Sequence, residues 1–382
     1  MSLAIASTER LHPSLASLAL QKTLNDASPI FGDYTSVKSK TSMWMSHYPD
    51  NTLIVHMNLP GAHDAATWNY SLTTQELLLH DTSLVNITEV DPRASRCQTR
   101  SMVDMLNDGL RVFDLRYAFD VTNSTLVFWH GSALQSETAA INDVLFGYYQ
   151  WLDEHPSEAI FLSFMYQGGT TLYAQDNADV QRLLFDALTT PAAEKYILQT
   201  KNTLGTLGEA RGKVTLLKRF DLEGLPAYFT EALPGVHFPP AQWTNNAPNI
   251  TLVFNNKTGE EAFIEDLFQP AVATTSPSEL SIALKFNATV QHLRLAASGQ
   301  HPNSLFWGFA SSTNLFHSPP ITPQMQAVGN GTLLPTGVNQ QLIPVFSELA
   351  GKRLGIVMFD FYETPSNLIS TFLNVLPPPP HR

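Results

Sequence analysis

Cysteine is nearly absent from this chain: Cys97 is the only one in 382 residues. A single thiol excludes an intrachain disulfide and a cysteine-built zinc site, and its ordinary fate is a quiet packed side chain. Basic residues are also scarce, 22 Lys and Arg against 34 Asp and Glu, for a formal charge of -12. That balance argues against a nucleic-acid partner and against electrostatic adsorption to anionic membrane, while leaving room for a local basic pocket. No run of about 18 apolar residues occurs, so no segment reads as a membrane-spanning helix. The opening stretch MSLAIASTERLHPSLASLAL lacks a basic region followed by a continuous apolar one, so no signal peptide is expected. No sequence repeat and no low-complexity linker breaks the chain.

What is present is ordinary globular composition, 43% hydrophobic and 15% charged, enough to bury a sizeable core. The chain is therefore expected to be soluble. Its place would be the cytoplasm or, because seven Asn-x-Ser/Thr sequons occur (Asn69, Asn86, Asn123, Asn249, Asn256, Asn287 and Asn330), outside the cell.

Short runs rich in β-branched and aromatic residues recur at 52–59, 110–117, 125–131, 159–166, 213–220, 235–243, 304–311 and 355–362, the sixth weakened by its prolines. Helix-like stretches lie between several of them: QTRSMVDMLNDG before the second, AAINDVLFGYYQWLDEHP before the fourth, ADVQRLLFDALTTP before the fifth and GEEAFIEDLFQP after the sixth. Eight strands alternating with helices predict an α/β chain closed into a single-domain (β/α)8 barrel. Residues 1–42 and the proline-rich tail 376–382 read as peripheral, 43–375 as the barrel, and 318–337 as a long loop.

Catalytic groups of such a barrel sit at the carboxyl ends of its strands. The polar residues of this chain gather there: His63 and Asp64 beyond the first strand, Asp114 and Arg116 on the second, His130 on the third, Lys218 and Arg219 on the fifth, Asp360 on the eighth. Any one of them has a structural explanation as a cap or an ion pair. Unlike charges from five strands aimed at one face are hard to explain by packing, and they predict a site.

The ordered set LPGAHDA, CQTRSMVDMLNDGLRVFDLR, FWHGSAL, HPSEAIFLSF, RGKVTLLKRF and GIVMFDF, with WMSHYPDN upstream, resembles the X-domain of phosphatidylinositol-specific phospholipases C and their bacterial and fungal phosphodiesterase relatives. The resemblance implies a distorted TIM barrel and cleavage of a phosphodiester by a neighbouring hydroxyl through a cyclic phosphate. Such a reaction needs a base for the hydroxyl proton, an acid for the departing alkoxide and positive charge for the phosphoryl oxygens. By the resemblance His63 is the base and His130 the acid, with Asp360 orienting His63 and Asp64 assisting His130. Arg116 stands where the calcium-dependent branch has a carboxylate, so neither metal nor other cofactor is implied. It also argues against the glycerophosphodiesterase-like and sphingomyelinase-D-like barrels, which hold magnesium with carboxylates after this strand.

The implied substrate-binding residues are Asp114, Arg219, Lys218, Trp243 and Trp307. Departures from the family pattern lie there. The lysine expected at the end of strand four is replaced in LSFMYQGG, where Met165 and Tyr166 stand, and an acidic inositol ligand is replaced within QWTNN. Trp243, Trp307 and Phe309 are expected to form an apolar wall. The implied partner is a phospholipid or small phosphodiester, met by a monomer in transient contact with a membrane surface. The alternatives are a non-catalytic barrel that binds a phosphate or lipid head group, and a phosphodiesterase for a non-inositol substrate.

Overall fold

In the computed structural model, residues 13–85, 91–171, 174–330 and 333–378 are described. Their strands are β1 (Leu59–Ala62), β2 (Val112–Phe119), β3 (Leu126–His130), β4 (Ala133–Leu134), β5 (Ile160–Tyr166), β6 (Val214–Arg219), β7 (Val236–His237), β8 (Ile250–Asn255), β9 (Glu260–Glu265), β10 (Leu305–Phe309), β11 (Gly329–Asn330), β12 (Leu333–Thr336) and β13 (Ile356–Phe359).

The main sheet runs β7-β6-β5-β2-β1-β13-β10-β9-β8. Every neighbouring pair along this path is parallel except the last, β8 against β9. Eight parallel strands, β1, β2, β5, β6, β7, β9, β10 and β13, thus form the distorted TIM barrel expected from the sequence as a mixed α/β single domain. Because β7 and β8 are the two ends of the path, closure is incomplete.

The expected number of barrel strands is met with a different membership. The third candidate, 125–131, is β3, which pairs antiparallel with β2. Only 120–125 separates the two strands, far too short for a parallel crossover. Asp120 Oδ1 closes that turn by accepting from Ser124 N (2.8 Å) and Thr125 N (3.0 Å). The missing barrel strand is β9, inside the segment expected as a helix. Its alternate residues Ala262 and Ile264 are buried, and β8 supplies an antiparallel partner that stabilises extended backbone there.

Three further boundaries differ. Residues 52–58 form a 3-10 turn at Ile54–His56 instead of a strand, burying Ile54 and Met57 three residues apart. The sixth strand shrinks to Val236–His237, stopped by Pro239 and Pro240. The loop at 318–337 contains a helix, Pro323–Val328, and the β11–β12 hairpin. The amino-terminal stretch is also less peripheral than its sequence indicates. Helix Leu15–Phe31 buries Ala27, Ile30 and Phe31, and Phe31 packs edge-on to Tyr148 with ring centroids 5.1 Å apart.

Strand alternation sorts side chains into two cores. On β2, Val112 joins the cluster that fills the barrel, while Phe113, Leu115 and Tyr117 join the layer beneath the helices. On β6, Leu217 lies inside and Leu216 outside; on β13, Ile356 and Met358 lie inside and Val357 and Phe359 outside. Continuing each alternation places Arg116, Arg219 and Asp360 inward at the carboxyl ends. Among the described residues no helix is long and apolar enough to cross a membrane. Asn69, Asn123, Asn249, Asn256, Asn287 and Asn330 are exposed, and Asn86 lies outside the described residues.

The opposite end of the barrel is tied by a buried ion pair. Arg111 and Glu158, each 0% exposed, meet through Arg111 Nη2 and Glu158 Oε2 at 2.6 Å. Arg111 also donates to Leu110 O, Leu106 O and Ser42 O and lies between the rings of Trp44 and Trp151. Removing one partner strands the other charge, whereas replacing both with apolar groups leaves none. Arg111→Met should therefore lower unfolding free energy by about 3–5 kcal/mol in urea titrations, and the double change Arg111→Met, Glu158→Leu should recover much of that loss.

Candidate active site

After β1 the chain turns sharply: Asp64 adopts a left-handed conformation, φ 43° and ψ 55°. That conformation, which Asp tolerates better than most residues, points His63 and Asp64 at different partners. His63 Nδ1 lies 2.8 Å from Asp360 Oδ1 at the end of β13. Asp64 Oδ2 lies 3.1 Å from His130 Nε2 at the end of β3. The two imidazoles stand nearly perpendicular, 89°, with centroids 6.2 Å apart.

Arg116 sits between the two histidine–carboxylate pairs. It donates to His63 Nε2 at 2.7 Å and to Asp114 Oδ2 at 3.2 Å, and its Nε is 3.4 Å from Asp64 Oδ2. A guanidinium has donors and no acceptor, so His63 Nε2 presents its lone pair and the ring proton resides on Nδ1, toward Asp360. Gln98, contributed by the loop before helix Met102–Asn107, donates to the carbonyls of both His63 and Phe359 at 2.8 Å and so stitches β1 to β13. His130 Nδ1 donates to Ser95 O at 2.6 Å. Neither Gln98 nor Ser95 carries a signal in the sequence, since one acts on backbone and the other through it.

Burial and charge set the proton affinities. Burial disfavours charge on His63, but the Asp360 carboxylate outweighs it and raises the pKa above the ordinary value. His130 is held below its ordinary value by burial, which Asp64 only partly offsets. Burial pushes Asp360 up against the pull of His63. Asp114 is lowered, because Arg116 and Arg219 together overcome its burial.

A cavity of about 320 Å³ opens beside these groups, lined in part by His63, Arg116, His130, Arg219, Trp243 and Asp360. Arg219 stacks over Trp243, 3.8 Å from guanidinium carbon to ring centroid. Asp266 completes this wall: it accepts from Trp243 Nε1 at 2.7 Å and lies 3.6 Å from Arg219 Nη2. Asp266 carries no strand-end signal in the sequence, because its segment reads as helical. As the residue after β9, with Ala262 and Ile264 inside, it points into the barrel.

Three expected substrate contacts are corrected. Lys218 faces outward, one residue out of phase with Arg219, and donates to Leu233 O at 3.1 Å beneath a separate surface cavity. Asp114 is fully buried behind Arg116 and Arg219 and does not line the site cavity. Trp307, 0% exposed, lies two residues deeper on β10 than Phe309 and backs Trp243 at 5.4 Å between centroids.

These features define a barrel whose mouth sets a guanidinium between two carboxylate-supported histidines. No family model matches the chain. It is 26% identical over 335 residues to a 1-phosphatidylinositol phosphodiesterase of Listeria monocytogenes, an alignment covering 86% of this chain and 84% of the relative. It is also 26% identical over 178 residues to the human PI-PLC X domain-containing protein 1, covering 43% and 47%. Among solved structures, a mutant phosphatidylinositol-specific phospholipase C from Staphylococcus aureus aligns with a TM-score of 0.64 at 17% identity over 90% of this chain and all of that one. The enzyme of that name from Listeria monocytogenes aligns with a TM-score of 0.57 at 22% identity over 88% and 98%. The chain is thus similar in sequence, over most of its length, to a phosphatidylinositol phosphodiesterase, and it shares the barrel fold of phosphatidylinositol-specific phospholipases C.

The outward position of Lys218 has a measurable consequence. Burial lowers its pKa to about 8 from 10.5. A lysine depressed on folding penalises the folded state while it must be charged, and the penalty fades as pH rises from about 8 toward 10.5. Lys218→Met should leave turnover within about threefold of wild type, since the ammonium is remote from the cavity, and urea unfolding should show wild type gaining stability relative to the variant between pH 8 and 10.

Proposed function

We propose that this chain is a phosphodiesterase that cleaves a phosphatidylinositol-like lipid by metal-independent, two-histidine acid–base catalysis. The observation that carries this reading is the pair of histidines, each backed by its own carboxylate at 2.8 Å and 3.1 Å, facing one another beside a shared guanidinium. His63 Nε2, released when Arg116 turns to the substrate phosphate, removes the proton of a hydroxyl next to the phosphoester. That oxygen attacks phosphorus, the bond to the lipid alcohol breaks, and His130 delivers its Nε2 proton to the departing alkoxide. The products are a cyclic phosphate and a free alcohol such as diacylglycerol. Arg116 supplies the fixed positive charge that stabilises the pentacovalent phosphorus centre. Asp360 stabilises His63 as it becomes an imidazolium, and Asp64 holds His130 in place.

The head group would rest against Trp243, with Arg219 and Asp266 as its polar contacts. Arg219 is already shared among Asp114, Asp266 and the Trp243 face. A polyol satisfies such a wall by donating to Asp266 and accepting from Arg219 while one ring face lies on the indole. The retained set of His63, His130 and Arg116 favours this reading over a non-catalytic phosphate-binding barrel.

The proton roles separate with a substrate whose leaving group needs no acid. On a natural phosphoester, His63→Ala and His130→Ala should each lose about 10² to 10⁴ in rate. With a nitrophenyl ester of inositol phosphate, His130→Ala should recover most of its activity and His63→Ala should not. Equal behaviour of the two variants would reverse or void the assignment.

The pH dependence follows from the opposite displacement of the two imidazoles, His63 upward and His130 downward. Activity needs His63 neutral and His130 protonated, so kcat/KM should be bell-shaped, with the alkaline limb following the higher apparent pKa, that of His63, and the acidic limb that of His130. Because Asp360 raises His63, Asp360→Asn should move the alkaline limb to lower pH and leave the acidic limb in place. Movement of the acidic limb instead would show the opposite order of proton affinities.

A further inference from the structure

The acid–base chemistry leaves a thiol at the cavity unused. Cys97 is fully buried yet lines the cavity, its sulfur 3.7 Å from Ser95 O and 4.0 Å from His130 Nδ1. One ligand atom each from His63, Cys97 and Asp360 lie within 4.8 Å of one another. Asp360 is 1% exposed and lines the cavity; its Oδ1 pairs with His63 while its Oδ2 has no hydrogen-bond donor, so the buried carboxylate retains ligand capacity that the protein does not fill. The neighbouring carboxylates Asp64, Asp114 and Asp266 are paired with Arg116 and Arg219, whereas Asp360 pairs with His63.

We propose that His63, Cys97 and Asp360 form an inhibitory site for zinc or a similarly thiophilic divalent cation. A zinc cage built from several cysteines is excluded by the lone thiol, but a mixed nitrogen, sulfur and oxygen set is not. Such a donor set selects zinc-like ions over calcium and magnesium, which prefer oxygen alone. The metal takes the place of the proton now shared by His63 Nδ1 and Asp360 Oδ1, 2.8 Å apart. Zinc bonds of about 2.0 Å to nitrogen and oxygen in a tetrahedral arrangement need those atoms about 3.3 Å apart, so the two side chains separate by about half an ångström. Sulfur approaches to about 2.3 Å from the metal, and the fourth position opens onto the cavity.

The proton balance explains why the bound state is inactive. Burial and the Asp360 and Asp64 charges raise the thiol pKa, and a divalent cation reverses that local field, so Cys97 binds as thiolate and its proton leaves to solvent. The imidazole proton shifts from Nδ1 to Nε2, where it meets the Arg116 N–H and removes the lone pair that acts as base. One metal thus binds with net release of one proton, and the substrate hydroxyl loses its acceptor.

Inhibition presupposes the phosphodiesterase reading; metal binding does not, and the two are read separately. The full chain is titrated with cobalt(II) and followed by near-ultraviolet absorption, and phosphatidylinositol cleavage is measured against zinc, magnesium and EDTA. Expected are a thiolate-to-cobalt charge-transfer band at one equivalent that is absent in Cys97→Ser and Cys97→Ala, inhibition by zinc and not magnesium, and full activity in EDTA. The cysteine variants should keep turnover within about threefold while needing at least about tenfold more zinc for half inhibition. Absence of the band in wild type, or equal zinc sensitivity after loss of the thiol, would overturn the site. The wild-type spectrum decides the matter even if neither variant folds. A band with no phosphodiesterase activity would instead remove the functional reading and leave the metal site standing.

Discussion

A single guanidinium organises the site. Arg116 is 17% exposed at its side chain and meets Asp64, Asp114 and His63 at once. Buried carboxylates are tolerable only when paired, and Asp64 and Asp114 are 1% and 0% exposed. Without Arg116 they would lose their shared counter-charge, and the supports of both His130 and Arg219 would be disturbed with them. Its N–H also fixes which nitrogen of His63 is free. The charge that would receive a phosphate is therefore the charge that holds the histidines in register before one arrives.

From Arg116 the alternation of sign continues around the mouth. Asp114 is 3.7 Å from Arg219, Arg219 is 3.6 Å from Asp266, and Asp266 accepts from Trp243. Each link comes from a different strand or strand end: β2, β6, the residue after β9, and the loop beyond β7. In this ring the two guanidiniums line the cavity with acids behind or beside them, so a chain of charge -12 still turns its cations inward at this point.

Much of this was legible in the sequence. Period-two alternation in VFDLR places Asp114 and Arg116 on one face of β2, whereas Pro60 and Gly61, which read as a break, lie within β1, and the chain turns only at Asp64. What failed was decided by partners far along the chain. The strand at 125–131 has the composition of a barrel strand, yet the short Asp120 turn folds it back on β2. The segment 260–265 has helix-forming glutamates, yet β8 and β10 on either side hold it extended. Lys218 and Arg219 are indistinguishable in composition, and only the phase of β6 separates a cavity wall from an outer pocket.

The sequence by itself determined which chemical groups stand at the carboxyl ends of extended segments, because side-chain alternation and turn chemistry are local properties of a few residues. Only the tertiary structure decided which of those segments share a barrel, which acid faces which base, and that Asp266, Gln98, Ser95 and Cys97 border the same space. Those choices depend on register between strands tens to hundreds of residues apart, and no local pattern encodes a distance across the barrel.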